Sequence, residues 1–347
     1  MTLELDIVSI GMVTAVGLDA RSACAAMRAK LDGFQETRFV GPGGGWLVGA
    51  PVPLPRKFTG EKRLAHMAAA AILEAFEPVP EAHGTAALIL CLPEEDRPGR
   101  LAPEAARLAA RIAEITGIAS PYRTRIVAHG RPSGHVALDQ ARRLLADRSV
   151  PYVMICGVDS YLAGLTIDHY LAERRLLTPD NPNGFIPGEA AAAILCTRPG
   201  SGTMRLLGLG LAREPAYIYN HTDLPLRGDG MTAAYRMALD ASGMEMRDVG
   251  YRISDLIGES YFFKQAAIAS LRLVRGHHGF QDFWSPAESL GNVGAAVVPM
   301  TVGMAMTAAM KGYDRGDPVL IESSGDDGAC GAMLLTAGRM PRRRVAA

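Results

Sequence analysis

Apolar positions along the chain fall into two kinds of run. Short unbroken blocks such as AALILCL at 86–92 and YVMIC at 152–156 have the length and continuity of strands buried on both faces. Between them lie longer stretches whose apolar residues recur at helical spacing. Read from the N-terminus, the pattern predicts strand 6–10, helix 19–29, helix 60–75, strand 86–92, helix 102–116, strand 125–128, helix 134–147, strand 152–156, helix 162–173 and a hairpin strand 190–197. The plan then repeats with strand 204–211, helix 231–242, strand 253–257, helix 261–275, helix 293–311, strand 319–322 and strand 332–336. Gly and Pro crowd residues 41–55 (GPGGGWLVGAPVPLP), which predicts a loop.

The repeat has landmarks. Gly134 opens one helix, Pro151 starts a strand, and Gly188-Glu189-Ala190 starts a closing strand that ends AILCT. Later in the chain Gly294 opens an Ala-rich helix, Pro318 starts a strand, and Gly328-Ala329 leads a closing strand that ends MLLT. The expected organisation is two fused, similar α/β halves, 1–200 and 201–347. Strands alternating with helices imply parallel sheets. Helices 134–147 and 293–311, rich in small residues, suit a shared inner layer between two sheets, where bulky side chains do not fit. No GxGxxG opens either half, which argues against a pair of dinucleotide-binding domains.

Composition narrows the picture. Hydrophobic residues make up 48% of the 347 positions but aromatics only 6%, so the core is built from small and aliphatic side chains. Lys plus Arg and Asp plus Glu balance at 36 each, and nothing in the bulk charge attracts nucleic acid. The one basic cluster, Arg339 with Arg342–Arg344, reads as a solvated tail. Five cysteines, widely spread and without a CxxC pair, read as reduced thiols of a cytoplasmic protein. No apolar run reaches the roughly 18 residues of a membrane span, and no secretory leader is expected. His277 and His278 have no carboxylate or cysteine at ligand spacing, so neither metal nor cofactor is expected.

Four segments carry a resemblance. GMVTAVG at 11–17 is similar to the GMVTPLG opening of β-ketoacyl-acyl-carrier-protein synthases. CGVDSYL followed by NPNGFIPGEAAAAIL resembles their GGVDS and DGFxxGEGA segments. SLGNVGAA resembles GHxxGAAGA, and SSGDDGACGA resembles NSFGFGGTNA. The matches keep the family's order and cover most of the chain. They imply a thiolase-like five-layered αβαβα sandwich.

In that family a cysteine on a sharp turn at a helix N-terminus holds the acyl group. The helix dipole and backbone N–H groups stabilise thiolate and oxyanion there. Two histidines assist. Matching the family's CxSG to RPSG puts Arg131 at the nucleophile position. Arginine stays protonated and cannot attack a thioester. The resemblance puts the histidine positions at Glu288 and near Glu259, the lysine position at Phe283 and the gating phenylalanine at Asp326. Arg131, Glu259, Glu288, Asp326 and Asp327 are then expected to face one cavity. Buried charges of this kind must pair or bind something polar. An Arg131–carboxylate network either plugs a disused pocket or holds a polar ligand. Ser133 reads as the N-cap of the helix it opens, or as a nucleophile if a base lies beside it; His129 and His135 are its sequence neighbours. Cys330, placed near the pocket, reads as a core thiol or as a nucleophile. Cys156 and Cys196 read as strand-core residues.

Three functions remain open on this reading. One is a non-condensing binding or partner protein. Another is an active 3-oxoacyl-synthase-type acyltransferase using Ser133 or Cys330. The last is an enzyme of another class, using Glu259 and Glu288 as acid and base. A homodimer is expected in each case, with an acyl carrier protein or another protein as partner, no nucleic acid and no membrane span.

Overall fold

The computed structural model describes residues 4–118, 124–200, 202–220, 222–276 and 281–337; His277, His278 and the Arg339–Arg344 cluster lie outside them. The first part of the chain forms β1 (Leu5–Val13), α1 (Ala20–Arg28), β2 (Gln35–Val40), β3 (Trp46–Gly49), α2 (Gly60–Phe76), β4 (Ala86–Cys91), α3 (Ala105–Thr116), β5 (Arg125–Val127), α4 (Ser133–Leu145), β6 (Tyr152–Ser160), α5 (Gly164–Ala172) and β7 (Glu189–Thr197). The rest forms β8 (Met204–Arg213), α6 (Asp229–Ser242), β9 (Tyr251–Ser254), α7 (Ser260–Leu273), β10 (Asp282–Trp284), α8 (Ala287–Leu290), α9 (Val297–Lys311), β11 (Val319–Ser324) and β12 (Ala329–Thr336).

Strand order shows the repeat in space. Five strands run β5-β4-β6-β7-β1 and five more run β10-β9-β11-β12-β8, the same pattern twice. The two groups meet where β1 pairs antiparallel with β8 over Leu5–Ile7. Each group is mixed rather than parallel throughout. β4, β5 and β6 are parallel, while β7 runs antiparallel to both β6 and β1. β12 is antiparallel to both neighbours in the same way. β12 returns from β11 through a short turn, whereas β7 comes back beside β6 after α5 and a further connection.

α4 packs on β4, β5 and β6 on one side and on β8 and β12 on the other; α9 is likewise held between β1, β6, β7 and β9, β11. These helices form the inner layer. α2 and α3 cover one outer face and α6 and α7 the other, which completes the five layers. Small residues permit the inner packing. A Cβ on Gly134 would lie 2.5 Å from the Val298 Cβ, and one on Gly157 would lie 2.2 Å from the Ala295 carbonyl oxygen.

Three local features depart from the sequence pattern. Residues 35–49 hold a small antiparallel hairpin, β2–β3, where a loop begins in the sequence reading. The short edge strand β10 carries no apolar run to reveal it. α9 begins at Val297, after a 3-10 turn over Gly294–Ala296.

Replacing Gly134 by Val should force α4 and α9 apart. Overpacking of this kind costs about 1–3 kcal/mol, and denaturant unfolding should report a loss in that range.

Candidate functional site

β5 ends at Val127 and the chain turns through His129-Gly130-Arg131-Pro132 into α4. Gly130 takes a left-handed φ of 61°, which lets the bend be sharp. The Arg131 side chain is only 1% exposed. Its guanidinium donates to Asp255 Oδ2 at 3.3 Å and to Asp326 Oδ1 at 3.1 Å. Its carbon lies 4.0 Å from the centre of the Phe262 ring. Asp255 follows β9 and Asp326 lies in the β11–β12 turn, so the second half of the chain supplies the anions for a cation from the first.

A second guanidinium extends the network. Arg175, just beyond α5, grips both oxygens of Glu259 at 2.7 Å each. It also reaches the two oxygens of Asp326 at 2.6 and 3.1 Å and donates to the Tyr219 hydroxyl at 2.7 Å. The Tyr170 hydroxyl donates to Asp326 at 3.3 Å. Although burial disfavours its charge, two arginines hold Asp326 well below the usual carboxylate range. Burial pushes Asp255 up to about 6 against the pull of Arg131, and raises Glu259 against that of Arg175.

A third arginine borders the same site. Arg97 pairs with both oxygens of Asp159, one at 3.1 Å, and lies 4.2 Å from the centre of the Tyr161 ring. Asp159 also accepts from the backbone N–H groups of Ser160 and Ala295. Glu94 lies over the bend: a Cβ on Gly130 would sit 1.7 Å from its Oε1. Burial first, and then the nearby Asp326 and Asp159, push Glu94 up to about 7, with Arg97 at 3.6 Å opposing them. Above Asp326 opens a cleft of about 530 Å³, bordered by Glu94, Arg97, Tyr170, Tyr217, Tyr219 and Asp326.

The expected residues part company here. Arg131 and Asp326 pair directly, and Glu259 joins them through Arg175. Asp327 is at the lip, with one oxygen 3.5 Å from Arg213 and the other accepting from the Ala329 N–H at 2.9 Å.

Glu288 does not face the cavity. Its side chain is 50% exposed and pairs with Lys30. Counting three residues back from Gly294, as GHxxGAAGA requires, reaches Gly291 instead, which occupies a tight turn at φ 62° against the Ile186 carbonyl. Phe283 is also remote from the bend. It stands on edge strand β10, half-exposed, 5.5 Å from Arg252.

Cys330 is not a pocket residue either. Alternation along β12 turns it into the outer core with Met231 and Ala234, where burial pushes its thiol far up. Cys156 and Cys196 are buried core residues.

Ser133 is the first residue of α4 and caps none of that helix's N–H groups. Its hydroxyl instead accepts from the His129 N–H at 2.9 Å and lies 3.4 Å from the Leu92 carbonyl. No imidazole or carboxylate among the described residues hydrogen-bonds it. His135 pairs with the Ser323 hydroxyl at 2.9 Å, and burial lowers it to about 4, so it is neutral at neutral pH. Among the described residues there is no cluster of three or more metal-ligating side chains. Arg97, Asp159, Arg175 and Asp255 carry no spacing signal, because their ion-pair partners Asp159, Arg97, Glu259 with Asp326, and Arg131 lie many tens of residues away.

No protein-family profile matches the chain, and no curated protein matches it in sequence. Solved structures do. The ishigamide ketosynthase/chain length factor superposes with a TM-score of 0.76 at 18% identity, over 96% of this chain and 98% of that one. A ketosynthase in complex with its chain length factor from Xenorhabdus doucetiae gives 0.75 at 15% identity, over 96% and 97%. A β-ketoacyl synthase from Burkholderia phymatum gives 0.73 at 15% identity, over 96% and 99%. The chain has the thiolase-like ketosynthase fold.

Two substitutions test the electrostatics. Arg131→Met strands Asp255 and half of Asp326 away from water. It should cost about 3–5 kcal/mol in chemical denaturation, with much of the loss recovered in Arg131→Met/Asp255→Asn. Glu94, with a folded pKa near 7 against an ordinary 4.5, binds its proton more tightly when folded. Its contribution to stability therefore falls as pH rises from about 4.5 to 7. Glu94→Gln should raise the unfolding free energy measured in denaturant little at pH 4.5 and most at pH 8, by roughly 3 kcal/mol.

Proposed function

We propose that the protein is a non-condensing relative of the ketosynthases that works as a binding or partner subunit. The observation that carries this reading is the buried Arg131 guanidinium at the bend before α4, paired with Asp255 and Asp326. A thioester carbonyl brought to this bend meets a cation already saturated by anions, with no thiolate beside it. Ser133 lacks a base and Cys330 faces the outer core, so neither offers a substitute nucleophile.

Two features favour a protein partner. Two of the structurally similar proteins are a ketosynthase/chain length factor and a ketosynthase in complex with its chain length factor. The surface near the start of α2 also carries basic side chains: burial first, and then Lys62, Lys57 and Arg111, lower His66, and the N-cap residue of α2 makes no side-chain cap. Lys57 and Lys62 both approach the Phe58 ring, which stacks on His66. A positive patch beside an uncapped helix start suits an acidic partner such as an acyl carrier protein. Edge strand β5 offers unpaired backbone groups through which two copies of the chain pair as a homodimer. No helix among the described residues is long and apolar enough to cross a membrane, and the cytoplasm is the proposed location.

Intact-mass spectrometry after incubation with a long-chain acyl thioester should show no adduct, and malonyl thioester should release no carbon dioxide. Acylation at Ser133, Cys330 or any other single residue would overturn the reading. Lys57→Glu/Lys62→Glu should weaken acyl carrier protein binding about tenfold or more, read by calorimetry; unchanged affinity would remove the patch from the argument.

A further inference from the structure

Beyond Ile7 one edge of β1 has no strand beside it. β8 pairs with β1 only over residues 5–7, while β7 holds the opposite edge as far as Val13. The direction of the open edge follows from its hydrogen bonds. Met12 turns its N–H away from β7 and donates it to Glu74 Oε2 at 2.8 Å. Strand alternation gives Ile10 the same outlook, so its N–H and C=O point to the open side.

That edge floors a groove of about 850 Å³ between α2 and the C-terminal end of α9. Val8 and Ile10 are partly exposed in the floor, and the exposed Leu18, Leu73 and Met310 form an apolar rim. Glu74 and Glu77 stand on the α2 side. Lys311 and Arg21 also border the groove, but among the described residues no cation lies within ion-pair distance of either glutamate. Glu74 is half-buried and accepts the N–H groups of Met12 and Ala20, each at 2.8 Å. Burial, with Asp19 and Glu77 adding to it, raises Glu74 against those two donors. An open strand edge calls for an extended backbone, and the unanswered carboxylates call for cations.

The chain itself carries the complement. β12 and β1 run in the same direction, because each is antiparallel to β8. Thr336 opposes Arg205, and Thr203, further along in that direction, lines the groove. A backbone leaving β12 therefore heads along the groove, two strand spacings or roughly 10 Å from β1. Arg339, Arg342, Arg343 and Arg344 follow in the sequence. The seven residues from Ala337 to Arg344 reach up to roughly 25 Å, enough to cross to β1 and bring guanidinium groups to Glu74.

We propose that the groove beside β1 is the seat of this chain's own basic segment, residues 339–344, which adds its backbone to the Ile10 edge and its guanidinium groups to Glu74 and Glu77. Main-chain pairing supplies the fit and the charge-assisted contacts supply the selectivity. The assignment stands apart from the non-condensing reading and uses none of its residues.

Hydrogen exchange at the Ile10 amide, followed by mass spectrometry, tests it in the full chain and in a chain ending at Ala337. Exchange should quicken about tenfold or more when the segment is removed, and likewise in full-length Arg342→Glu/Arg343→Glu/Arg344→Glu. Circular dichroism confirms that each variant folds. A synthetic peptide of residues 338–347 should bind the shortened chain saturably in calorimetry, restore the protection of Ile10, and bind more weakly at high salt or after Glu77→Gln. Equal exchange at Ile10 in the full and shortened chains overturns the assignment and leaves the arginines as a solvated tail. So does a peptide that shows no saturable binding. Protection of Ile10 that grows with protein concentration and ignores the arginine substitutions gives the groove to a second copy of the chain, and overturns it as well.

Discussion

A guanidinium keeps its charge at every pH a protein meets, so a chain that buries one at a sharp bend must arrange anions around it. Arg131 imposes that constraint here. The turn after β9 delivers Asp255, the β11–β12 turn delivers Asp326, and Phe262 on α7 covers the guanidinium with its ring. Asp326 is then drawn upon a second time by Arg175, which brings Glu259 into the same network. The first half of the chain contributes the cations and the second half the anions, so the network also ties the two halves together.

At the bend where the resemblance expects a thiolate, the chain places a fixed charge. A thiolate at a helix N-terminus gains from the dipole and from backbone N–H groups. An arginine there is opposed by the same dipole and depends wholly on its carboxylate partners. Removing one partner is costly for that reason, and the floor of the cleft is correspondingly held by side chains from separate segments of the chain: those of Arg131, Arg175, Asp255 with Glu259, and Asp326. Under the proposed non-condensing reading, such a site keeps a shape, which suits recognition better than turnover.

Charge is distributed unevenly outside that floor. The cleft lip carries the exposed Asp96 and Glu173, whereas the start of α2 carries Lys57 and Lys62 beside the Phe58 ring. Zero net charge in the sequence hides both, because a sum over the chain discards position.

Much of the architecture was legible in the residues alone. The buried blocks at 86–92 and 152–156, the repeated Gly and Pro landmarks, and the helices of small residues fixed a two-sheet sandwich with an inner helical layer, because burial on both faces demands such patterns. Arg131 at the bend and Asp326 in the final turn were also readable, since each sits in a segment with its own local signature. β10 and the β2–β3 hairpin were not, because short edge strands bury too little to leave an apolar run. Glu288 and Phe283 failed for a different reason: the register taken from LGNVGAA lay three residues too early, and it sent both side chains to the wrong surface. Cys330 failed by one step of strand alternation. The sequence by itself determined which layers form and that a permanent cation stands at the bend. Only the tertiary structure decided which carboxylates answer it, because Asp255, Glu259 and Asp326 lie far from Arg131 and Arg175 in the sequence, and ion pairing at that range follows from packing rather than from spacing.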